Sequence, residues 1–441
     1  MAFDFILKGG TVVEPHRVTL CDVAVKDGKI VQIASEIVSE GVPTVELEGK
    51  IVLPGAIDAH VHFNEPGNVE WEGIETGSRM LAAGGATLYF DMPLNSNPPT
   101  IDVPSLELKE QLSVEKSAID YRFWGGLVPE NIGELESLAE RGVIGFKAFI
   151  SNSGFEPFKS VDNLALLNGM KEISRLGKIL ALHAESDEMT ALLANEKLAG
   201  GKVEPKDYCE SRPIIAEVEA VQRSLAYAQV TGCALHFVHI SSPEAVRIIH
   251  EAKERGLNVT LETCAHYLLF NDEAFEEHGV FAKCAPPLRA PSVQREMIAL
   301  LAEGKIDFIT SDHSPCSPEL KDLTKKNFFE AWGGINGGQF TLLSVLEVTK
   351  TKGLPFTEVA RLTASSPAER FGIEGKGRIE VGYDADFAIV EEVPYLVTKE
   401  TIHAKHKDSL YENHEFPYKV VATYCKGKQV FAAEENLTHS K

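Results

Sequence analysis

Eight short β-rich runs, most of them followed by a stretch of helical periodicity, limit what this chain can fold into. The runs are 55–63, 86–92, 121–125, 143–150, 179–185, 234–241, 258–267 and 307–312. Between them, 104–117, 132–141, 161–176, 217–231, 243–255 and 293–303 carry apolar residues at helical spacing. Strands joined through helices run parallel and need cover on both faces. Eight such units in series favour a closed barrel over an open doubly wound sheet. An open sheet that binds a dinucleotide normally shows a glycine fingerprint after its first strand, and none follows 55–63. The expected class is α/β, a (β/α)8 TIM barrel.

The two ends of the chain read differently. Short strands separated by turn signals are expected at 5–7, 11–13, 23–25, 30–33 and 44–46, with Gly28 and Gly41 at breaks, and again at 386–390, 418–424 and 429–432 after Gly377 to Gly382. Neither end holds enough apolar surface for a core of its own. Residues 1–52 and 373–441 are therefore expected to form one small β-sandwich domain beside a barrel of 53–372. The alternation over 1–13 reads as a first strand and not a secretory signal, since no basic region leads into an apolar run. No window holds the about 18 uninterrupted apolar residues of a membrane helix. With 43 Lys+Arg against 65 Asp+Glu, the net charge of -22 would repel phosphates, which argues against nucleic acid or an anionic membrane as partner. Seven cysteines without a C-x-x-C pair fit a reduced, cytoplasmic protein.

In such a barrel the active site lies at the C-terminal ends of the strands. The first run ends His60-Val61-His62, the fourth carries Lys147, the fifth His183, the sixth His239 and the eighth Asp312. Alternate residues of a strand share a face, so His60 and His62 put two nitrogen ligands on one side. Taken singly, each of these residues is also compatible with a hydrogen-bonded core position. Together at one mouth they would be expensive to bury without a cation. Four imidazoles, a carboxylate and a lysine could hold two divalent cations about 3.5–4 Å apart and activate a water between them. A neutral lysine amine can take up CO2 as a carbamate, an anionic oxygen ligand, and burial favours the neutral amine. Asp312 would accept the proton of the attacking water and deliver it to a leaving nitrogen, so that a C–N bond is hydrolysed. His236, three residues before His239, is expected to face the helices. His266 is expected near the mouth as an outer or substrate contact, and Cys264, Cys284 and Cys316 as packing residues.

Asp58-Ala59-His60-Val61-His62, Lys147, His183, His239 and Asp312 resemble the signature of the binuclear amidohydrolase superfamily, and within it the cyclic amidase branch of dihydroorotases, hydantoinases (dihydropyrimidinases) and allantoinases. Ile51 to Gly55 at the barrel entry and Gly382 to Asp386 in the closing β-domain extend the likeness over nearly the whole chain. Three stretches resemble the allantoinases: His62 to Gly67 with Trp71-Glu72-Gly73, Asp91 to Ser96 with Pro98-Pro99-Thr100, and Ser311 to Cys316 with Ala331 to Ile335. Dihydroorotases typically have arginine where Asn64 stands, to bind a carboxylate that allantoin lacks.

The resemblance implies ring opening of allantoin to allantoate, a step of purine breakdown. His60, His62, Lys147 as N6-carboxylysine, His183, His239 and Asp312 would hold two divalent ions. Zinc is the first choice, with cobalt, manganese, nickel or iron admissible. Asn64, Asn95, Ala285, Arg289 and Asn336 are the expected substrate contacts, those near Ala285 and Asn336 through backbone groups. Hydantoinases commonly have serine in place of Ala285, and dihydroorotases use an arginine in the loop of Arg289. The family suggests a homo-oligomer, a dimer or tetramer. Another cyclic amide as substrate, or a non-catalytic scaffold, are the alternatives.

Overall fold

The structure is a computed structural model that describes residues 3–433 and 439–440. Each of the eight expected runs contains or overlaps a strand: Ala56–Val61, Ala86–Asp91, Asp120–Phe123, Phe146–Phe149, Ile179–His183, Ala234–Phe237, Val259–Cys264 and Phe308–Thr310. Neighbours pair in parallel, with Phe146 opposite Leu180, Ala181 opposite His236, Phe237 opposite Leu261 and Thr263 opposite Ile309. The third strand is interrupted at Trp124. Its first part pairs with the second strand, and its continuation Gly125–Gly126 pairs with the fourth. The Trp124 indole turns inward and donates to the carbonyl of Ala59 at 3.0 Å. Closure comes from a bridge between Val61 and His313, with the His62 amide donating to the His313 carbonyl at 2.8 Å. The barrel is thus closed between its first and last strands.

Side-chain alternation sorts each strand into two faces. Phe146, Ala148, Leu180, Leu182, Leu235 and Phe237 pack in one large cluster with helix residues such as Ile173, Val221 and Ile249. Ala181, Trp124, Phe149 and Phe308 fill the interior with Phe371. The covering helices show the expected apolar stripe: in Pro243–Glu254 the buried residues include Ala245, Val246, Ile249 and Ala252. Local chemistry sets helix ends. The Asp102 carboxylate accepts from the Ser105 amide at 2.9 Å to start Val103–Lys116, and Asp162 accepts from Ala165 at 2.7 Å to start Asn163–Arg175. Gly232 closes Ile214–Thr231 in the left-handed conformation.

The chain ends join in one mixed sheet, ordered Lys428–Ala432, Lys419–Cys425, Phe387–Glu391, Lys50–Pro54, Phe5–Glu14, Arg17–Lys26, Lys29–Ala34. N- and C-terminal strands meet where Ile389 lies opposite Val52. One face, with Val12, Val52, Ile389 and Val421, builds the domain's own core, while Val13, Ile51, Leu53, Ala388 and Val390 pack toward the barrel. The two strands expected at 5–7 and 11–13 form a single strand whose register shifts between Leu7 and Gly10, where Gly9 takes a positive φ. Residues 1–2, 434–438 and 441, which the expected β-domain includes, lie outside the described residues. The run 395–416, also expected in that domain, lies against the barrel mouth: Lys405 donates its amide to Glu72, and Gln339 binds the Thr401 carbonyl.

Candidate metal centre

The C-terminal ends of the strands bring the expected ligands to one mouth. His60 and His62 have ring centroids 5.4 Å apart, His60 and His239 5.5 Å, His183 and His239 4.6 Å. The Asp312 Oδ1 lies 3.2 Å from His60 Nε2 and 3.3 Å from His62 Nε2, and these three residues offer ligand atoms within 4.8 Å of one another. His239 and Asp312 sit just past their strands with φ of 41° and 46°, so the chain turns there and aims both side chains across the opening.

Lys147 is fully buried, and among the described residues its Nζ has no hydrogen-bond partner. Burial draws its ammonium down to about 8, against the opposing pull of Asp312 and Glu262. An orphaned, easily neutralised amine among imidazoles fits a site completed by a carbamate and by cations. Burial, helped by the charge of Lys147, also holds His60 far below the ordinary imidazole range, and burial with His183 and Lys147 does the same to His239. Neutral imidazoles keep a lone pair for a metal.

Outer partners set the ring orientations. His60 Nδ1 is 2.6 Å from Glu262 Oε1, which leaves Nε2 toward Asp312. Glu262 Oε2 in turn meets His236 Nε2 at 3.0 Å, and His236 Nδ1 meets Thr260 Oγ1 at 2.9 Å. Burial raises the Glu262 carboxyl to about 8, with Lys147 opposing. His183 Nε2 lies 2.8 Å from Glu185 Oε2. Burial alone would raise Glu185, but Arg212 at 2.5 Å and His183 hold it at about 2. Such partners fix imidazole tautomers and ligand strength.

His236 therefore corrects the expectation that it faces the helices. It is the neighbour of interior Ala181, stacks on Phe308 at 4.9 Å and points into the barrel. Counting three residues back from His239 misleads because the strand ends at Phe237, and alternation no longer holds beyond it. His266 is buried, its ring 4.4 Å from that of Tyr267, and burial lowers it to about 4. Burial pushes the Cys264 and Cys284 thiols up, away from thiolate chemistry.

Of the expected substrate contacts, Asn95 and Ala285 line the cavity together with His60, His62, His183, His239 and Asp312. Leu94, Phe149 and Trp332 are among the other residues of its walls. Asn64, Arg289 and Asn336 do not line it. Asn64 is buried with its amide 3.4 Å from the Pro315 carbonyl. Arg289 donates to Ser241 Oγ at 3.1 Å and to the Arg212 carbonyl at 2.5 Å. Asn336 donates to the His406 carbonyl at 2.7 Å. Glu262, Glu185 and Arg212 are not among the residues that the sequence pattern singles out. A glutamate at inward parity inside an apolar strand is the one available signal for Glu262.

The family profile described as "Amidohydrolase family" matches residues 51–430. The chain belongs to the amidohydrolase family. Within it, the chain groups with the allantoinases. It is 54% identical over 431 residues to the allantoinase of Bacillus velezensis, covering 98% of this chain and 94% of that one. It is 46% identical to the allantoinase of Deinococcus radiodurans, covering 98% and 96%. Among solved structures, the L-hydantoinase (dihydropyrimidinase) from Arthrobacter aurescens superposes with a TM-score of 0.94 at 29% identity, covering 99% of this chain and 98% of that one. This amidohydrolase thus shares the whole barrel and the terminal β-sandwich with a cyclic amidase of solved structure.

Proposed function

We propose that this chain hydrolyses the ring amide of allantoin to give allantoate. The observation that carries the reading is the convergence of His60, His62 and Asp312 at a barrel mouth that also holds the buried, orphaned amine of Lys147, in a chain 54% identical to an allantoinase. His60, His62, His183, His239, Asp312 and Lys147, the last as N6-carboxylysine formed with CO2, are the residues assigned to hold two divalent ions, zinc first among them. When bound, such ions lower the pKa of water and polarise a carbonyl.

The protein's own groups do the rest. Asp312 accepts the proton of the attacking water and passes it to the ring nitrogen as the C–N bond breaks, which leaves a carboxylate and a free ureido nitrogen. Asn95 and Ala285, on the cavity wall, are assigned to hold the ring; Asn64, Arg289 and Asn336 shape the loops behind it. Arg289 does not line the cavity, and its Nε and Nη1 are engaged by Ser241 and the Arg212 carbonyl. That favours a neutral substrate such as allantoin over dihydroorotate. The structural likeness to an L-hydantoinase supports hydantoin as the second reading. We further assign the protein to the cytoplasm, as a dimer or tetramer.

The test is a panel of allantoin, hydantoin, dihydrouracil and dihydroorotate, run on protein reconstituted with metal and bicarbonate, with metal analysis on the same sample. Allantoin is expected to lead, with about two ions per chain. A preference of about tenfold for another substrate, roughly 1.4 kcal/mol in the barrier, overturns the assignment.

A further inference from the structure

Behind one wall of the cavity lie two buried lysines that the proposed chemistry does not use. Lys283 is 3% exposed and Lys321 9%, and among the described residues no carboxylate is paired with either. Their partners are main-chain carbonyls and aromatic faces. The Lys283 ammonium donates to the carbonyls of Phe329 at 3.1 Å and Ala331 at 2.5 Å, and sits 4.6 Å from the Tyr208 ring. Lys321 donates to the carbonyls of Trp332 at 3.1 Å, Gly334 at 2.9 Å and Val280 at 3.2 Å. Four of these five carbonyls belong to 329–334, a stretch without helix or strand.

The stretch they hold is the one that meets the substrate space. Trp332, Gly333 and Gly334 line the catalytic cavity. Trp332 also packs edge-on against Trp71, from the loop after the first strand, at 4.8 Å. Three backbone bonds anchor the same stretch, from the Gly334 amide to the Lys283 carbonyl at 2.7 Å, from the Trp332 amide to the Leu320 carbonyl at 2.9 Å and from the Ala331 amide to the Asn327 carbonyl at 3.0 Å. An irregular segment has few backbone partners of its own, and an ammonium group with three donors can replace the missing ladder. Burying two amines without carboxylates is costly unless their donors are used, and burial draws both below the ordinary lysine value. Lys321 uses all three of its donors, and Lys283 uses two with the aromatic face of Tyr208 beside it.

We propose that Lys283 and Lys321 are positioning residues for substrate, holding 329–334 so that Trp332 closes the cavity against Trp71. The proposal rests on the allantoinase reading for its kinetic arm only. Lys283→Met and Lys321→Met keep length and remove the donors. Each is expected to raise KM for allantoin about tenfold or more while kcat changes less, because a cavity wall binds the ground state and the transition state equally. Bound metal is expected to stay at the wild-type level. Trp71, Trp124 and Trp332 are the three tryptophans, and Trp124 is fully buried, so a red-shifted emission and greater acrylamide quenching would report release of the Trp71–Trp332 pair.

Should a methionine variant fail to fold, Lys283→Gln and Lys321→Gln, which keep an N–H donor, are expected to show the same changes in smaller measure. Wild-type KM with unshifted emission in any folded variant overturns the proposal. If the wild-type protein is inactive on allantoin, the functional reading fails, and the emission and quenching still decide whether the lysines hold the loop.

Discussion

Lys147 and Glu262 carry the sharpest expectations at the scale of single residues. Lys147→Ala removes the amine that can become an oxygen ligand, and is expected to abolish metal binding and hydrolysis. Acetate or propionate should restore part of both by occupying the vacated place, which metal analysis and an assay with added acid would detect. Glu262→Leu takes away the acceptor that keeps a proton on His60 Nδ1 and its lone pair on Nε2. Loss of such a partner costs about 10–100-fold in metal affinity, measurable by competition with a chelator on folded protein. His236→Phe leaves the Glu262–His60 bond in place and should cost less. The histidines were legible in the sequence because each falls at or just past the C-terminal end of an expected strand. Glu262 was not, because its partner His60 stands 202 residues away along the chain.

At the scale of elements, strands and helices followed from period and from end signals, with boundaries within a few residues. The helix expected over 104–117 is Val103–Lys116, started by Asp102 with a reciprocal bond from the Asp102 amide to Ser105 Oγ. Asp102→Ala should therefore cost about 1 kcal/mol of local stability, seen as faster hydrogen exchange in the first turn with little change in activity. What end signals could not convey is how the chain leaves a strand. The positive φ at His239 and Asp312 turns each side chain inward two residues after the strand has ended. The loops that carry Arg289 and Asn336 likewise direct those side chains to backbone carbonyls and not to the cavity.

The whole molecule depends on the junction between the barrel and the terminal sheet. The Lys376 ammonium, buried, contacts Asp120 at 2.6 Å, Asp384 at 3.0 Å and Asp386 at 2.6 Å, joining the third barrel strand to the C-terminal segment. Lys376→Met leaves three carboxylates without their shared cation and should destabilise by about 3–5 kcal/mol, read as a lower Tm with the metal centre intact in the folded fraction. The sign with pH follows from the carboxyls. Burial works to raise Asp120 and Asp384, but lysine partners, Lys376 chief among them for Asp120, bring both below the ordinary carboxylate value. Their contribution is present above that value and is lost as pH falls through the lowered one. Burial raises Asp386 despite Lys376, so it protonates first on acidification. The acid limb of the wild-type stability curve should accordingly be steeper than that of Lys376→Met, which a series of thermal melts from pH 6 downward would show.

By itself the sequence determined the strand–helix repeat, the joining of both ends into a second domain, and the residue types at the strand ends that make a site of nitrogen and oxygen ligands. These are local properties: period, turn chemistry and composition act over a few residues. Only the tertiary structure decided that His236 points inward to Glu262, that Arg289 is held away from the cavity, and that two lysines without carboxylates brace its wall. Each of those depends on where strands and loops distant along the chain meet when the barrel closes, and alternation along a strand carries no information past the residue where the strand ends.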